Sequence, residues 1–179
     1  MPKTIRQSVT LSASAERLYA MYLDPKAHAA ITGSPVKVSA RPGAKFSAYG
    51  GSIWGTTLAT IPGRLIVQSW RSVNFGDQDP DSVLILAFTP VGKKEGRIDL
   101  VHANVADQDV EGVRKGWKKF YWTPWKKYLA GPEPAAPNLL GDLPGLLRHR
   151  ADKRPATVEE MDRAVRKRAG KRFLDETRR

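Results

Sequence analysis

No cysteine occurs among the 179 residues, which excludes a disulfide-stapled scaffold, a thiolate zinc site and a cysteine nucleophile. Histidine is scarce too. His28, His102 and His149 stand far apart, so no histidine-rich metal centre is expected. The longest apolar run, Val83 to Phe88, is far short of the ~20 residues that a membrane-crossing helix needs. The opening MPKTIRQSVTL lacks the apolar stretch of a secretion signal, so the expected location is cytoplasmic. Also missing are G-x-S-x-G, H-E-x-x-H, the phosphate loop and G-x-G-x-x-G. Asp77, Asp79 and Asp81 share one turn without the glycine and distal glutamate of a calcium loop. Neither a metal nor a cofactor is expected.

What the chain has in excess is positive charge. Lysine and arginine number 30 against 18 acids, a formal net charge of +12. Residues 1–130 hold 18 cations against 10 acids, and residues 131–179 hold 12 against 8. The excess is therefore not an appended tail. Two strips stand out: residues 114–127 carry six cations and no acid, and residues 148–172 carry ten against four. Such strips suit acidic protein, nucleic acid or anionic membrane surfaces and demand none of them.

Hydrophobic periodicity orders the chain. Ile5, Val9 and Leu11 alternate with polar residues as in a strand. Residues 12–24 then turn helical, with Ser12 or Ser14 as cap and Leu18, Met21 and Tyr22 on one face. Asp24-Pro25 ends that helix and starts a second, short one that stops near Gly33, with His28 expected on its surface. From Val36 to Val105, short strands alternate with glycine and proline turns, an antiparallel meander of about six strands.

After Asp109 the helical period returns. On an α-helical wheel Val113, Trp117, Phe120, Tyr121, Pro124, Trp125 and Tyr128 share about 140°. Lys115, Lys118, Lys119 and Lys126 lie outside that stripe, with Trp122 at ~180° among them. A kink is expected at Pro124. Residues 131–156 read as a proline- and glycine-rich linker. Residues 157–179 read as a basic amphipathic helix, capped by Thr157 and Glu160, with Met161, Val165 and Phe173 on its apolar face.

The residues DPKAHAAITGS (24–34), GAKFSAYGGSIWG (43–55), IVQSWR (66–71), LVH (100–102) and GWKKFYWTPWKKYL (116–129) resemble a known family. It is the one named for the activator of the heat-shock-protein-90 ATPase, in its C-terminal-domain type, within the START-like (SRPBCC) superfamily. The resemblance covers residues 3–130 in order. It implies an α+β helix-grip fold, a curved antiparallel β-sheet wrapped around a long C-terminal helix, here with an appended helical tail. Residues 1–130 would form that domain. A chaperone-related role is implied by the resemblance alone.

In such a fold the expected pocket lies between the closing helix and the sheet, the concave apolar site that suits small ligands. Trp117, Tyr121 and Pro124 on the helix are expected to face Trp54, Trp70 and His102 on the strands. The leading expectation is a non-enzymatic module that binds a small hydrophobic ligand or a protein partner. Lys115, Lys118, Lys119, Trp122 and Lys126, with Met161, Val165 and Phe173, are the candidate partner surface. A second reading is a cyclase- or hydrolase-like enzyme of the same fold with His102 as base. A third is a nucleic-acid-associated protein that uses the two basic strips.

Overall fold

The computed structural model describes residues 3–131. Residues 132–179 lie outside them, and with them most of the expected linker and the whole tail helix with Met161, Val165 and Phe173. Strand β1 (Lys3–Leu11) leads into α1 (Ala15–Leu23) and α2 (Pro25–Thr32). Six strands follow: β2 (Val36–Lys37), β3 (Lys45–Ala48), β4 (Ile53–Ile61), β5 (Leu65–Ser72), β6 (Ser82–Gly92) and β7 (Glu95–Val105). The closing helix comprises α3 (Val110–Gly116), a π-helical segment (Trp117–Trp122) and α4 (Thr123–Ala130).

The two short helices are set by local chemistry. Ser14 Oγ accepts from the Arg17 amide at 3.3 Å and starts α1. Asp24 Oδ1 accepts from the Ala27 amide at 2.7 Å, and Pro25 occupies the first turn of α2. Gly33 ends α2 at φ 69°, a conformation that suits glycine.

All seven strands join one antiparallel sheet in the order β1-β7-β6-β5-β4-β3-β2. The meander accounts for β2 to β7, and β1 adds to the far edge by pairing with β7, Ile5 opposite His102. Alternation along β5 buries Ile66, Gln68, Trp70 and Ser72 on the face that the helices cover. Leu84, Leu86 and Phe88 of β6, and Ile98, Leu100 and His102 of β7, are buried with them. This is the α+β helix-grip arrangement that the sequence suggested. Gly55 on β4 is obligatory there: a Cβ would stand 1.9 Å from Ser69 O and 2.7 Å from Phe46 Cε1.

The closing helix departs from the wheel. Phe120, expected inside, is 44% exposed, and Trp122, expected among the exposed lysines, is only 6% exposed. The cause is the π-helical segment, where the Thr123 amide donates to Lys118 O, five residues back. One extra residue in a turn rotates everything after it by about 100° relative to an α-helix. That rotation carries Trp122 to the sheet and Phe120 to solvent. The irregularity introduced by Pro124 is thus a widened turn, with helical dihedrals continuing through Trp122 and Thr123. Trp122 Nε1 donates to Gln7 Oε1 at 2.6 Å, and Gln7 Nε2 donates to Arg114 O at 2.8 Å, tying the helix to β1.

The two aromatic positions should therefore differ sharply in stability. Trp122→Ala is expected to cost about 3–5 kcal/mol, as for a large buried ring, and Phe120→Ala less than about 1 kcal/mol. Urea denaturation of the two variants measures both. The opposite ranking would mean an uninterrupted α-helix.

Candidate functional site

A cavity of about 430 Å³ opens between the closing helix and the ends of β4 and β5. Its sheet side is made by Ile53 and Trp70, and its helix side by Val113, Trp117, Phe120 and Tyr121. Glycines at 112 and 116 keep the helix side open. Tyr49 stands at the rim, with ring centroids 5.6 Å from Phe120 and 6.0 Å from Tyr121.

Tyr49 holds that place through an unusual backbone. Its φ is 53°, and Gly50 and Gly51 follow at 64° and 88°. A tyrosine in this region costs about 1 kcal/mol or more. Its hydroxyl donates to Phe120 O at 2.9 Å. That carbonyl is the one whose α-helical donor would be residue 124, and proline has no N–H to give. Burial raises the Tyr49 phenol to about 12, so it remains a donor. Tyr121 is raised well above the usual phenol value by burial and by Tyr22 and Tyr49 nearby.

His102 lies behind the wall and does not line the cavity. Its Nδ1 accepts from Trp117 Nε1 at 3.2 Å. An indole N–H only donates, so the neutral ring carries its proton on Nε2. Nε2 then donates to Ser82 Oγ at 2.9 Å, and Ser82 donates to Trp70 O at 2.7 Å. Both ring nitrogens are engaged, and burial lowers the imidazole to about 3. His28, expected at the surface, is buried at 4% exposure. Its Nδ1 donates to Tyr22 O at 2.7 Å, and burial lowers it to about 4. His28 Nε2 and Trp125 Nε1 are buried without a hydrogen-bond partner.

Of the six residues expected around a ligand, Trp70, Trp117 and Tyr121 meet at the cavity. His102 braces two of them. Trp54 is 38% exposed, because it alternates with the inward-facing Gly55, and it does not line the cavity. Pro124 does not line it either; its effect arrives through Tyr49. Lys115, Lys118, Lys119 and Lys126 are all exposed. Lys119 Nζ lies 5.0 Å from the Phe120 ring centroid, a cation–π pair in the place the wheel gave to Trp122.

Sequence reasoning missed the polar end of the cavity. Asp109, 5% exposed, precedes α3, and its Oδ2 accepts from Ser72 Oγ at 2.6 Å. Its Oδ1 accepts from Asn74 Nδ2 at 3.0 Å. All three residues line the cavity. A Cβ at Gly112 would stand 2.7 Å from Asp109 Oδ1, so this glycine makes room for the carboxylate. Two glycines four apart inside a helical pattern were the available signal, since such glycines mark a close approach. The acidic turn 77–81 is held by Arg71, which donates to Gly76 O and Asp79 O and pairs with Asp81 at 3.1 Å. Among the described residues no group of three or more acids and histidines is placed to hold a metal. No described helix is long and apolar enough to cross a membrane.

The family model for activator of Hsp90 ATPase homolog 1-like proteins matches residues 12–130. An activator of 90 kDa heat shock protein ATPase homolog from Dictyostelium discoideum is 29% identical over 65% of this chain and 30% of its own length. The chain spans about a third of the length of the curated relatives it matches. Among solved structures, an HSP90 activator from Plasmodium falciparum superposes with TM-score 0.65 at 21% identity, over 72% of this chain and 97% of that one. The Aha1 dimer from Colwellia psychrerythraea gives TM-score 0.62 at 12% identity, over 73% and 99%. At these identities the two structures establish shared fold.

The two buried histidines make stability depend on pH. Their folded values, about 4 and about 3, lie below the ordinary 6.5. The unfolded chain therefore binds protons that the folded chain refuses. Their contribution is complete above about pH 6.5 and is lost as the pH falls toward 4 and 3. Between about pH 7 and pH 5 the loss should reach roughly 4 kcal/mol for the pair. His102→Gln should show about half that pH-dependent loss in urea titrations at the two pH values. An unchanged dependence would mean that His102 is not held neutral.

Proposed function

The chain belongs to the activator of Hsp90 ATPase homolog 1-like family, and on that premise we propose that residues 3–131 form a non-catalytic module whose cavity takes one small, largely apolar molecule. The observation that carries this reading is the 430 Å³ space walled by Ile53, Trp70, Val113, Trp117, Phe120 and Tyr121. Aromatic walls with a few polar groups at one end suit a ligand with an apolar body. The state of His102 supports a binding role over the enzymatic alternative. A general base needs a free lone pair within reach of substrate, and here Nδ1 is taken by Trp117 and Nε2 faces Ser82.

Gly116 provides the test. It lines the cavity, and a Cβ there would touch only Phe120 Cδ2, at 3.7 Å. Gly116→Leu should fill the space while keeping or raising stability, because leucine favours a helix over glycine by about 0.5–1 kcal/mol. Titration with the neutral fluorophore N-phenyl-1-naphthylamine should give saturable one-to-one binding that Gly116→Leu abolishes. No binding to the parent chain, or equal binding to the variant, would overturn the reading.

A second reading, a protein partner, is favoured by the exposed Lys115, Lys118, Lys119 and Lys126, with the half-exposed Phe120, whose ring also borders the cavity, beside Lys119. An aromatic ring set among cations fits an acidic protein surface. The chaperone named for the Dictyostelium discoideum relative is the first candidate partner. Lys118→Glu with Lys119→Glu should weaken binding of this chain to a 90 kDa heat shock protein by about tenfold or more. Binding by isothermal titration that is insensitive to the double change would remove this face from the interface.

A further inference from the structure

Asp109 is the one acidic side chain among the residues that line the cavity. Asp109 places a carboxylate at the end of the apolar chamber, 5% exposed and lining the space. Among the described residues no cation pairs with it. Its two hydrogen bonds come from neutral donors, Ser72 Oγ at 2.6 Å and Asn74 Nδ2 at 3.0 Å. A carboxylate has about four acceptor positions, so two remain for a further donor. Arg71 serves the 76–81 turn, and Arg114 pairs with Glu111 at 3.3 Å. Neither is free to neutralise Asp109.

A buried carboxylate without a cation is costly even beside a helix start, and Asp109 takes no side-chain bond from the first-turn amides of α3. The setting is built around it nonetheless. Gly112 leaves the space its Oδ1 occupies, and Ser72 and Asn74 orient both oxygens. We propose that Asp109 is the recognition group for a ligand with a cationic amine head, whose apolar body lies along Trp70, Trp117 and Tyr121. The proposal rests on the cavity being a ligand site. A protonated amine supplies the missing charge and fills the free acceptor positions in one contact, a charge-assisted bond about twice as strong as a neutral one. The protein's overall field works the other way. A chain with net charge +12 attracts anions in general, so a preference for a cation must come from this one group.

Three fluorescent probes with the same body separate the two ideas: dansylcadaverine, with a primary amine head; its N-acetyl derivative, neutral; and dansyl-6-aminohexanoic acid, anionic. Each is titrated into the full chain and into Asp109→Asn, a variant that retains partners for Ser72 and Asn74. The amine probe should bind about tenfold more tightly than the acetylated one. That advantage should disappear in Asp109→Asn while the acetylated probe binds as before. Equal binding of all three probes, tightest binding of the acid, or an amine preference that survives Asp109→Asn would overturn the proposal and leave the cavity as an apolar ligand site. If none of the three binds, the cavity reading fails, and the proposal with it. A urea midpoint for Asp109→Asn no lower than that of the parent chain excludes misfolding as the reason for any loss.

Discussion

Pro124 has no amide hydrogen, and much of the helix-facing half of the molecule follows from that missing donor. The Phe120 carbonyl cannot close an α-helical bond to residue 124, and the proline ring crowds it. The turn widens across Trp117–Trp122, and the freed carbonyl accepts from Tyr49. That hydroxyl bond holds the rim of the cavity, on a backbone turn that a tyrosine adopts only under constraint. The same widening sends Trp122 inward to Gln7 and turns Phe120 out among the lysines.

Inside, polar groups are joined in short chains that leave few lone pairs free. Trp117, His102, Ser82 and the Trp70 carbonyl form one. Tyr22 donates to Gln68 at 2.9 Å, Gln68 to Thr57 at 3.3 Å and Thr57 to Ser39 O at 2.9 Å, forming another. Each chain links a helix or loop to different strands, so it orients the layers as well as satisfying buried atoms. His102 is in this sense a positioning residue for the two tryptophans of the cavity wall. Asp109 differs from both chains, because its partners are two neutral donors and no cation among the described residues pairs with it.

Much of the fold was legible. The switch from period 2 to period 3.6 near Asp109, the caps Ser14 and Asp24, and the glycine and proline turns between Val36 and Val105 marked the elements and their order. Half of the expected cavity residues were legible for the same reason: Trp70, Trp117 and Tyr121 fall on inward positions under either helix geometry. Trp54 was misplaced because a strand's two faces cannot be assigned from one tryptophan, and Gly55 beside it is the residue that faces in. His28 was misplaced because nothing local shows that α2 packs against Tyr22 and Tyr121. Asp109, Ser72 and Asn74 were invisible as a group, since 35 and 37 residues separate the acid from its partners.

The sequence by itself determined the element order, the absence of thiol chemistry, the exposed lysine strip and the presence of one inward aromatic face on the closing helix. These depend on composition and on the neighbours within a turn or a strand. Tertiary structure decided which tryptophan of that helix is buried, how His102 uses its nitrogens and where a lone carboxylate meets the cavity. Each of those depends on a partner distant in the chain: Tyr49 for Phe120, Ser82 and Trp117 for His102, Ser72 and Asn74 for Asp109. Periodicity carries no information about such pairings, because a hydrogen bond across the core is set by the register of the sheet against the helix.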